Sequence, residues 1–216
     1  MPDRVLSFDE LNNITTQAMA DALADVELTI YGGLADRKID RKRIEDTIFD
    51  LLTIYYAMGY REVGLSLGED IPMSERLQQD AVLAPTKGMT AFERIDEHIT
   101  AAEQALSEGA GMDAVTRLIE QLRVVADTEA MRTADTARFE AGEQYAKDHP
   151  EKTVMKQWVA IIDDVTRDTH VYLDGTIVPL DAYFYSYSGD RALHPHGFST
   201  AEENVNCRCT LQIIAY

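Results

Sequence analysis

Apolar residues recur at helical spacing through most of the first 149 residues, which predicts a mainly helical segment. A first helix begins at Ser7-Phe8-Asp9-Glu10, which has the form of a capping box because each end residue can bond the backbone of the other. Gly32-Gly33 ends this helix. Three more amphipathic helices follow, with predicted bounds of Asp40 to the glycines at 59, 64 and 68, then 90–106, then 112 to about 148.

The last of these helices changes character along its length. Its first half has an apolar stripe formed by Val115, Leu118, Ile119, Leu122 and Val125. Its second half is more polar and includes Asp127, Glu129, Arg132, Arg138 and Glu140. This pattern predicts either a solvated face or a long helix that reaches across to another subunit.

From about residue 150 the pattern becomes strand-like. Residues 154–161 are rich in β-branched and aromatic side chains that alternate in part, which predicts a half-buried strand. The dipeptide Asp174-Gly175 separates the short apolar runs 171–173 and 176–178 and predicts a hairpin. Residues 207–215 are expected to supply a closing strand.

The chain is therefore predicted to be an α+β protein, with a mainly helical N-terminal region followed by a small C-terminal domain of short strands. We divide it into a helical region (1–110), a long helix leading into the core (111–149) and a β-rich domain (150–216). A length of 216 residues suffices for a sizeable core.

The charge of the chain argues against nucleic acid as a partner. The formal net charge is −18. Residues 150–216 contain 5 Lys/Arg and 9 Asp/Glu, a net of −4, so −14 belongs to residues 1–149. Such a chain repels phosphate backbones, and direct nucleic-acid binding is not expected unless a local basic patch exists. A protein partner is expected instead.

No membrane association is expected, because no stretch approaches the roughly 20 apolar residues that span a bilayer. The start, Met1-Pro2-Asp3-Arg4, lacks the features of a secretory signal. Two cysteines one residue apart also form a poor disulfide. Reduced thiols in a cytoplasmic compartment are expected.

The motif Asn206-Cys207-Arg208-Cys209 contains the only two cysteines. If residues 207–215 form a strand, the two thiols point to the same face. With His170 and one of His194 or His196 they supply the ligands for a tetrahedral structural zinc ion. The alternative is that both cysteines simply face the core, because free cysteine is often buried and the spacing fits no standard zinc finger.

Asn206 and Arg208 would point to the opposite face of that strand. Asn206 is expected to bond backbone groups where the strand begins. Arg208 is expected to form a structural ion pair with Asp163, Asp164 or Asp174, since arginine is common in partly buried pairs.

An ordered set of residues runs from about 127 to 211. It comprises Thr128-Glu129, Ala141-Gly142, Lys156, Trp158, Asp163-Asp164, Arg167, His170, Leu173-Asp174-Gly175, Pro179, Phe184, Pro195, Glu203 and Asn206-Cys207-Arg208-Cys209. This set resembles the phage head-morphogenesis family named after protein F of phage Mu. No single member is specific, but the ordered set is hard to obtain by chance. The resemblance does not extend to the first 110 residues, and the stretch 183–193 departs from the family pattern like an insertion.

The resemblance implies a minor head protein of a tailed phage or prophage, acting in head assembly or genome delivery at or near the portal. It implies the portal protein, the major capsid protein or both as partners. The protein would then lie in the virion head, and in the host cytoplasm during assembly. The structural residues of the family motif would be Trp158, Arg167, His170, Asp174, Gly175 and Asn206-Cys207-Arg208-Cys209. No catalytic residue is expected.

An enzyme or toxin-like effector is the first alternative. His170, Cys207 and an acid such as Asp168 or Asp174 would form a Cys-His-acid site. His170 and Glu203 would instead serve a metal-dependent hydrolase. The chain contains no common hydrolase motif and no phosphate-binding glycine loop.

An adaptor is the second alternative. It would bind another helical protein through residues 1–110, and the C-terminal domain would be dispensable.

Overall fold

A computed structural model describes residues 6–34, 38–84, 90–164 and 166–216, and it confirms the predicted α+β fold. The helices in these ranges are α1 Phe8–Gly33, α2 Arg41–Leu67, α3 Glu75–Leu83, α4 Ala91–Ser107, α5 Met112–Asp148, α6 Asp168–Val171 and α7 Ala201–Asn204. The strands are β1 Val154–Val159, β2 Ile177–Pro179, β3 Phe184–Tyr185, β4 Arg191–Ala192 and β5 Thr210–Ala215. None of the helices in the described ranges is long and apolar enough to cross a membrane.

Side-chain caps fix where three of the long helices begin. Ser7 and Glu10 form the predicted capping box of α1. The Asp40 carboxylate accepts a hydrogen bond from the backbone N–H of Arg43 at 3.1 Å, and Thr90 opens α4 with a second capping box. Such caps satisfy backbone N–H groups that have no partner within the helix.

The glycines of α2 have a different role from the one predicted. The predicted break is wrong for Gly59 and Gly64, which lie buried inside the helix. Only Gly68, with φ of 74°, closes it. A Cβ atom at Gly59 would lie 2.5 Å from the carbonyl oxygen of Ala134. Glycine is therefore required there because α2 and α5 approach each other closely.

Helix α3 is absent from the sequence-based prediction. It has 9 residues and buries only Ala81 and Val82, so its apolar stripe is too short to be recognised from spacing. The loop predicted at residues 85–88 lies outside the described residues.

Helix α5 confirms the prediction of a long helix and joins two apolar cores. The first core lies between α1, α2, α4 and α5. The second lies beneath the C-terminal strands and includes Tyr56 of α2, Ala141 of α5 and Trp158 of β1. The division of the chain at residues 110 and 149 stays a prediction.

The polar second half of α5 was predicted either to be solvated or to reach another subunit. The first of these predictions is wrong, because several of its charged residues are buried. Glu129 and Arg132 are only 2% and 6% exposed. The Glu129 carboxylate binds the guanidinium groups of Arg132 and of Arg94 from α4. Arg138 binds Glu62 of α2, with 2.8 Å between Nε and Oε2. Arg94 and Glu62 come from helices packed on α5, so periodicity alone does not reveal these two partners.

Strands β2, β1 and β5 form an antiparallel sheet in that order, and β3 pairs with β4. Strand β1 confirms the predicted strand and ends at Val159. The predicted hairpin is wrong, because residues 168–171 form α6 and β2 pairs with β1. Asp174-Gly175 is still a turn, but it is bonded to both α6 and β1: the Asp174 N–H donates to the His170 carbonyl at 3.2 Å. Gly175, with φ of 73°, donates its N–H to the carbonyl of Trp158 at 2.9 Å.

Lys156 faces inward from β1 and is fully buried. Its Nζ has no hydrogen-bond partner among the described residues and lies 4.7 Å and 5.4 Å from the ring centroids of Phe139 and Phe184. Burial lowers the pKa of this amine to about 8. Cation–π contacts with these two rings replace part of the hydration that the amine loses on burial.

We predict that Gly59→Ala destabilises the fold by about 1–3 kcal/mol, because the new methyl group would force α2 away from α5. Gly32→Ala is the matched control, since a Cβ at that exposed helical position meets no atom within 4 Å. The control should be neutral or stabilising by up to about 1 kcal/mol. Urea denaturation measures both free energies of unfolding, and equal values would contradict the close approach.

Candidate functional site

Three soft metal ligands meet beneath the C-terminal sheet. The Nδ1 atom of His170 lies 3.4 Å from the Sγ atoms of both Cys207 and Cys209. All the ligand atoms of this cluster lie within 4.8 Å of one another. The three residues are 1–5% exposed. The structure therefore brings together three of the predicted zinc ligands.

Arg167 and Asn206 place these ligands. Arg167 precedes α6, and its guanidinium binds the carbonyl of Val205, which joins the His170 helix to the segment before the cysteines. Asn206 takes a left-handed conformation with φ of 57°, which asparagine tolerates better than most residues. The chain therefore turns inward immediately before Cys207.

The cysteines do not lie on the predicted strand, because β5 begins only at Thr210. The carbonyl of Cys207 is bonded to His196 Nε2 at 3.0 Å. The N–H of Cys209 points to the sulfur of Cys207 at 3.4 Å. These backbone groups are thus not used in the ladder with β1. Both thiols still face the same point, but a turn and not strand alternation directs them.

Glu203 of α7 is hydrogen-bonded to Nε2 of His170, on the side of the ring opposite the thiols. Its Oε2 lies 3.1 Å from His170 Nε2 and accepts from the Thr169 hydroxyl at 2.9 Å. Its Oε1 accepts from the Ser188 hydroxyl at 3.2 Å. An ionised carboxylate only accepts, so Nε2 carries the ring proton in this hydrogen-bond network and the Nδ1 lone pair faces the thiols.

Aromatic rings close the site from solvent. The edge of the Trp158 indole meets the His170 ring at 5.6 Å between centroids, and Phe198 lies 6.2 Å from the same ring. In this enclosed setting the hydrogen bond from the Cys207 thiol lowers the pKa of Cys209. The same bond, together with burial, raises the pKa of Cys207. The two thiols thus share one hydrogen bond in which Cys207 is the donor.

The structure brings neither His194 nor His196 into this ligand cluster. His196 uses both ring nitrogens, with Nδ1 3.0 Å from Asp135 Oδ2 and Nε2 on the Cys207 carbonyl. The Nδ1 of His194 lies 2.8 Å from the carbonyl oxygen of Pro195, and burial lowers the pKa of this ring to about 4.

Asp135 is the buried group that sequence reasoning missed. Its carboxylate, 0% exposed, accepts from Arg138 at 2.7 Å, from the Thr210 hydroxyl at 3.2 Å and from the Leu211 N–H at 2.9 Å. Burial alone would raise the pKa of Asp135, but the hydrogen bond to His196 and the charge of Arg138 lower it instead. The only sequence signal was an acidic residue in the polar half of a long helix.

Arg208 confirms the predicted ion pair. Its Nη2 lies 2.6 Å from both carboxylate oxygens of Asp163. The Asp174 carboxylate instead accepts from the backbone N–H of Ala160 at 2.8 Å. Asp174 reaches His170 only through the backbone, with its N–H donating to the His170 carbonyl at 3.2 Å. Arg208 therefore fixes the loop after β1 against the cysteine segment.

A separate cavity of about 430 Å³ lies between α4, α5 and α7. Its lining includes Asn204 and Val205 but none of the three soft ligands. The ligand cluster is therefore not part of the lining of this cavity.

Comparisons with known proteins agree with the resemblance seen in the sequence. The family described as "Phage Mu protein F like protein" matches residues 96–212, which include the whole ligand cluster. Minor head protein GP7 of Bacillus phage SPP1 is 28% identical over 196 residues, which cover 80% of this chain and 62% of that protein. The NAD(+)--arginine ADP-ribosyltransferase EFV of Enterococcus faecalis is 42% identical over 86 residues, 40% of this chain and 17% of that protein. The chain thus spans less than two thirds of either relative, and no solved structure matches it significantly.

We predict that Asp135→Asn destabilises the protein by about 3–5 kcal/mol, because Arg138 loses a buried charged partner and His196 loses its acceptor. Asp127→Asn, an exposed position on the same helix, serves as the control and should change stability by less than about 0.5 kcal/mol. Thermal and denaturant unfolding measure both effects. An equally mild effect at Asp135 would contradict a structural role for its carboxylate.

Proposed function

This chain belongs to the family of phage Mu protein F like proteins, and we propose that it is a minor head protein of a tailed phage or prophage. The family match carries the proposal, because it extends over residues 96–212, more than half of the 216-residue chain. The likeness to minor head protein GP7 covers 80% of the chain and adds most of the helical region. We assign the protein to head assembly at or near the portal and to the virion head.

The partner we propose is the portal protein, the major capsid protein or both. The charge distribution supports a protein partner, since −14 of the net −18 lies on residues 1–149. The second core also packs the C-terminal strands on α2 and α5. The helices can therefore dock on a partner while the C-terminal strands remain attached to them.

The enzyme and adaptor alternatives have less support. The likeness to the ADP-ribosyltransferase covers only 17% of that protein. A Cys-His-acid site at His170 would need access for a substrate, yet Cys207 and Cys209 are 5% and 2% exposed. The adaptor hypothesis makes the C-terminal domain dispensable, whereas the family match extends through it to residue 212.

We also propose that His170, Cys207 and Cys209 hold a structural zinc ion. Zn–S bonds of about 2.3 Å and Zn–N bonds of about 2.0–2.1 Å place tetrahedral S and N ligands about 3.5 Å apart. The observed separations are 3.4 Å for both sulfurs. Two thiolates and one imidazole suit zinc better than magnesium or calcium. The three residues would fill three of the four positions of a tetrahedral zinc ion.

The head role predicts that purified virions and proheads contain this protein, at far fewer copies than the major capsid protein. Quantitative mass spectrometry of particles from the phage or induced prophage that encodes the chain measures this ratio. The protein's absence from both particles would refute the proposal.

The zinc proposal predicts about one zinc ion per purified chain and its loss in the Cys207→Ser/Cys209→Ser variant. The variant and the chelator-treated protein should also unfold at lower temperature than the metal-bound protein. His98→Asn, a change on α4 outside the cluster, is the control and should retain zinc. Elemental analysis by mass spectrometry measures the metal, and metal-free folded protein would contradict the site.

A further inference from the structure

The environment of Glu203 suggests a second role at the same centre. Glu203 is 6% exposed, so water does not compete strongly for its carboxylate. Its only ion-pair partner among the described residues is His170, at 3.1 Å, and no arginine or lysine pairs with it. A buried carboxylate with so little compensating charge is costly unless a strong donor faces it.

A metal-bound imidazole is such a donor. When Nδ1 coordinates a divalent cation, electron density leaves the ring and the N–H at Nε2 becomes a stronger hydrogen-bond donor. Histidine ligands of metals usually bond a carboxylate or carbonyl through their second nitrogen, which fixes the tautomer and the ring orientation. The contact between His170 and Glu203 has this form.

The carboxylate is itself held from two other segments. Thr169, on α6 beside His170, bonds Oε2 at 2.9 Å. Ser188, in the turn between β3 and β4, bonds Oε1 at 3.2 Å and lies 2.7 Å from the hydroxyl of Ser186. Both oxygens of Glu203 are thus fixed without a metal.

We propose that Glu203 is a positioning residue of the metal centre, holding His170 with Nε2 protonated so that Nδ1 is presented to the ion between the two thiols. The inference rests on the zinc site proposed above and is independent of the role in the phage head. It also assigns the Thr169 and Ser188 hydroxyls as the groups that orient the carboxylate.

The test uses the full-length chain with Glu203→Gln and, as a matched control, Glu202→Gln at the exposed neighbouring position on α7. Zinc affinity is measured by competition with a chromophoric chelator. Loss of the charged acceptor should weaken zinc binding about 10–100-fold, and the control should keep the affinity of the unmodified protein. Equal affinity in Glu203→Gln and the unmodified protein would overturn the proposal.

Cobalt(II) gives a readout that a purely structural role of Glu203 would not change. The visible bands of Co²⁺ in the unmodified protein should indicate tetrahedral coordination that includes two thiolates and one imidazole. They should shift in Glu203→Gln at saturating metal and stay unchanged in Glu202→Gln. Trp158, the single tryptophan, lies 5.6 Å from His170 and reports metal binding through quenching of its fluorescence. Identical spectra in all three proteins would overturn the proposal.

Thr169→Val is the alternative test variant if Glu203→Gln does not fold. It removes one of the two hydroxyl donors that hold the carboxylate and should weaken zinc binding several-fold. Unchanged affinity in that variant would count against the proposal. An unmodified protein that binds neither zinc nor Co²⁺ would also refute it, whereas the presence of the chain in virions would still support the head role.

Discussion

The buried carboxylate of Asp135 is the constraint on which the C-terminal half depends. Taking an unpaired carboxylate out of water costs several kcal/mol, so its position requires donors from every side. They come from Arg138 one turn along α5, from His196 in a loop, and from Thr210 and Leu211 where β5 begins. One side chain of a helix thus fixes both the start of a strand and the orientation of a histidine. That histidine in turn binds the Cys207 carbonyl, so the cysteine segment is placed by a charge outside the metal cluster.

The same helix shows why a polar pattern does not establish exposure. In α5, Glu129, Arg132 and Arg138 form ion pairs with each other or with residues of α2 and α4. Charged groups can occupy the interior when their partners are buried with them. The close contact at Gly59 and Ala134 brings α2 near enough for this arrangement. In a chain with a net charge of −18, these arginines offset part of the acidic charge where it would be most costly.

Features that depend on neighbouring residues could be predicted from the sequence, whereas features that depend on residues distant in sequence could not. Capping at Ser7 and Asp40 and the length of α5 could be predicted, because these features depend on residues within one or two turns. The placement of Asp174-Gly175 could not be predicted, since this turn is bonded to α6 and β1 and does not join two strands of a hairpin. In the site, ligand chemistry identified His170 and the two thiols. Ligand chemistry did not exclude His194 and His196 as metal ligands. His196 is already hydrogen-bonded to Asp135, which is far away in sequence.

The arrangement of the strands favours a stabilising metal over a catalytic one. The sheet has strands of only 3 and 6 residues, with β1 between β2 and β5, and so small a sheet gains little stability from its own hydrogen bonds. His170 lies in α6, shortly before the outer strand β2, and the cysteines lie just before the other outer strand, β5. An ion bound by all three would connect the segments leading into both edges across Trp158 of the central strand. Such an ion would close a loop between His170 and Cys207, which are 37 positions apart in sequence, and its binding free energy would add to the stability of the folded sheet.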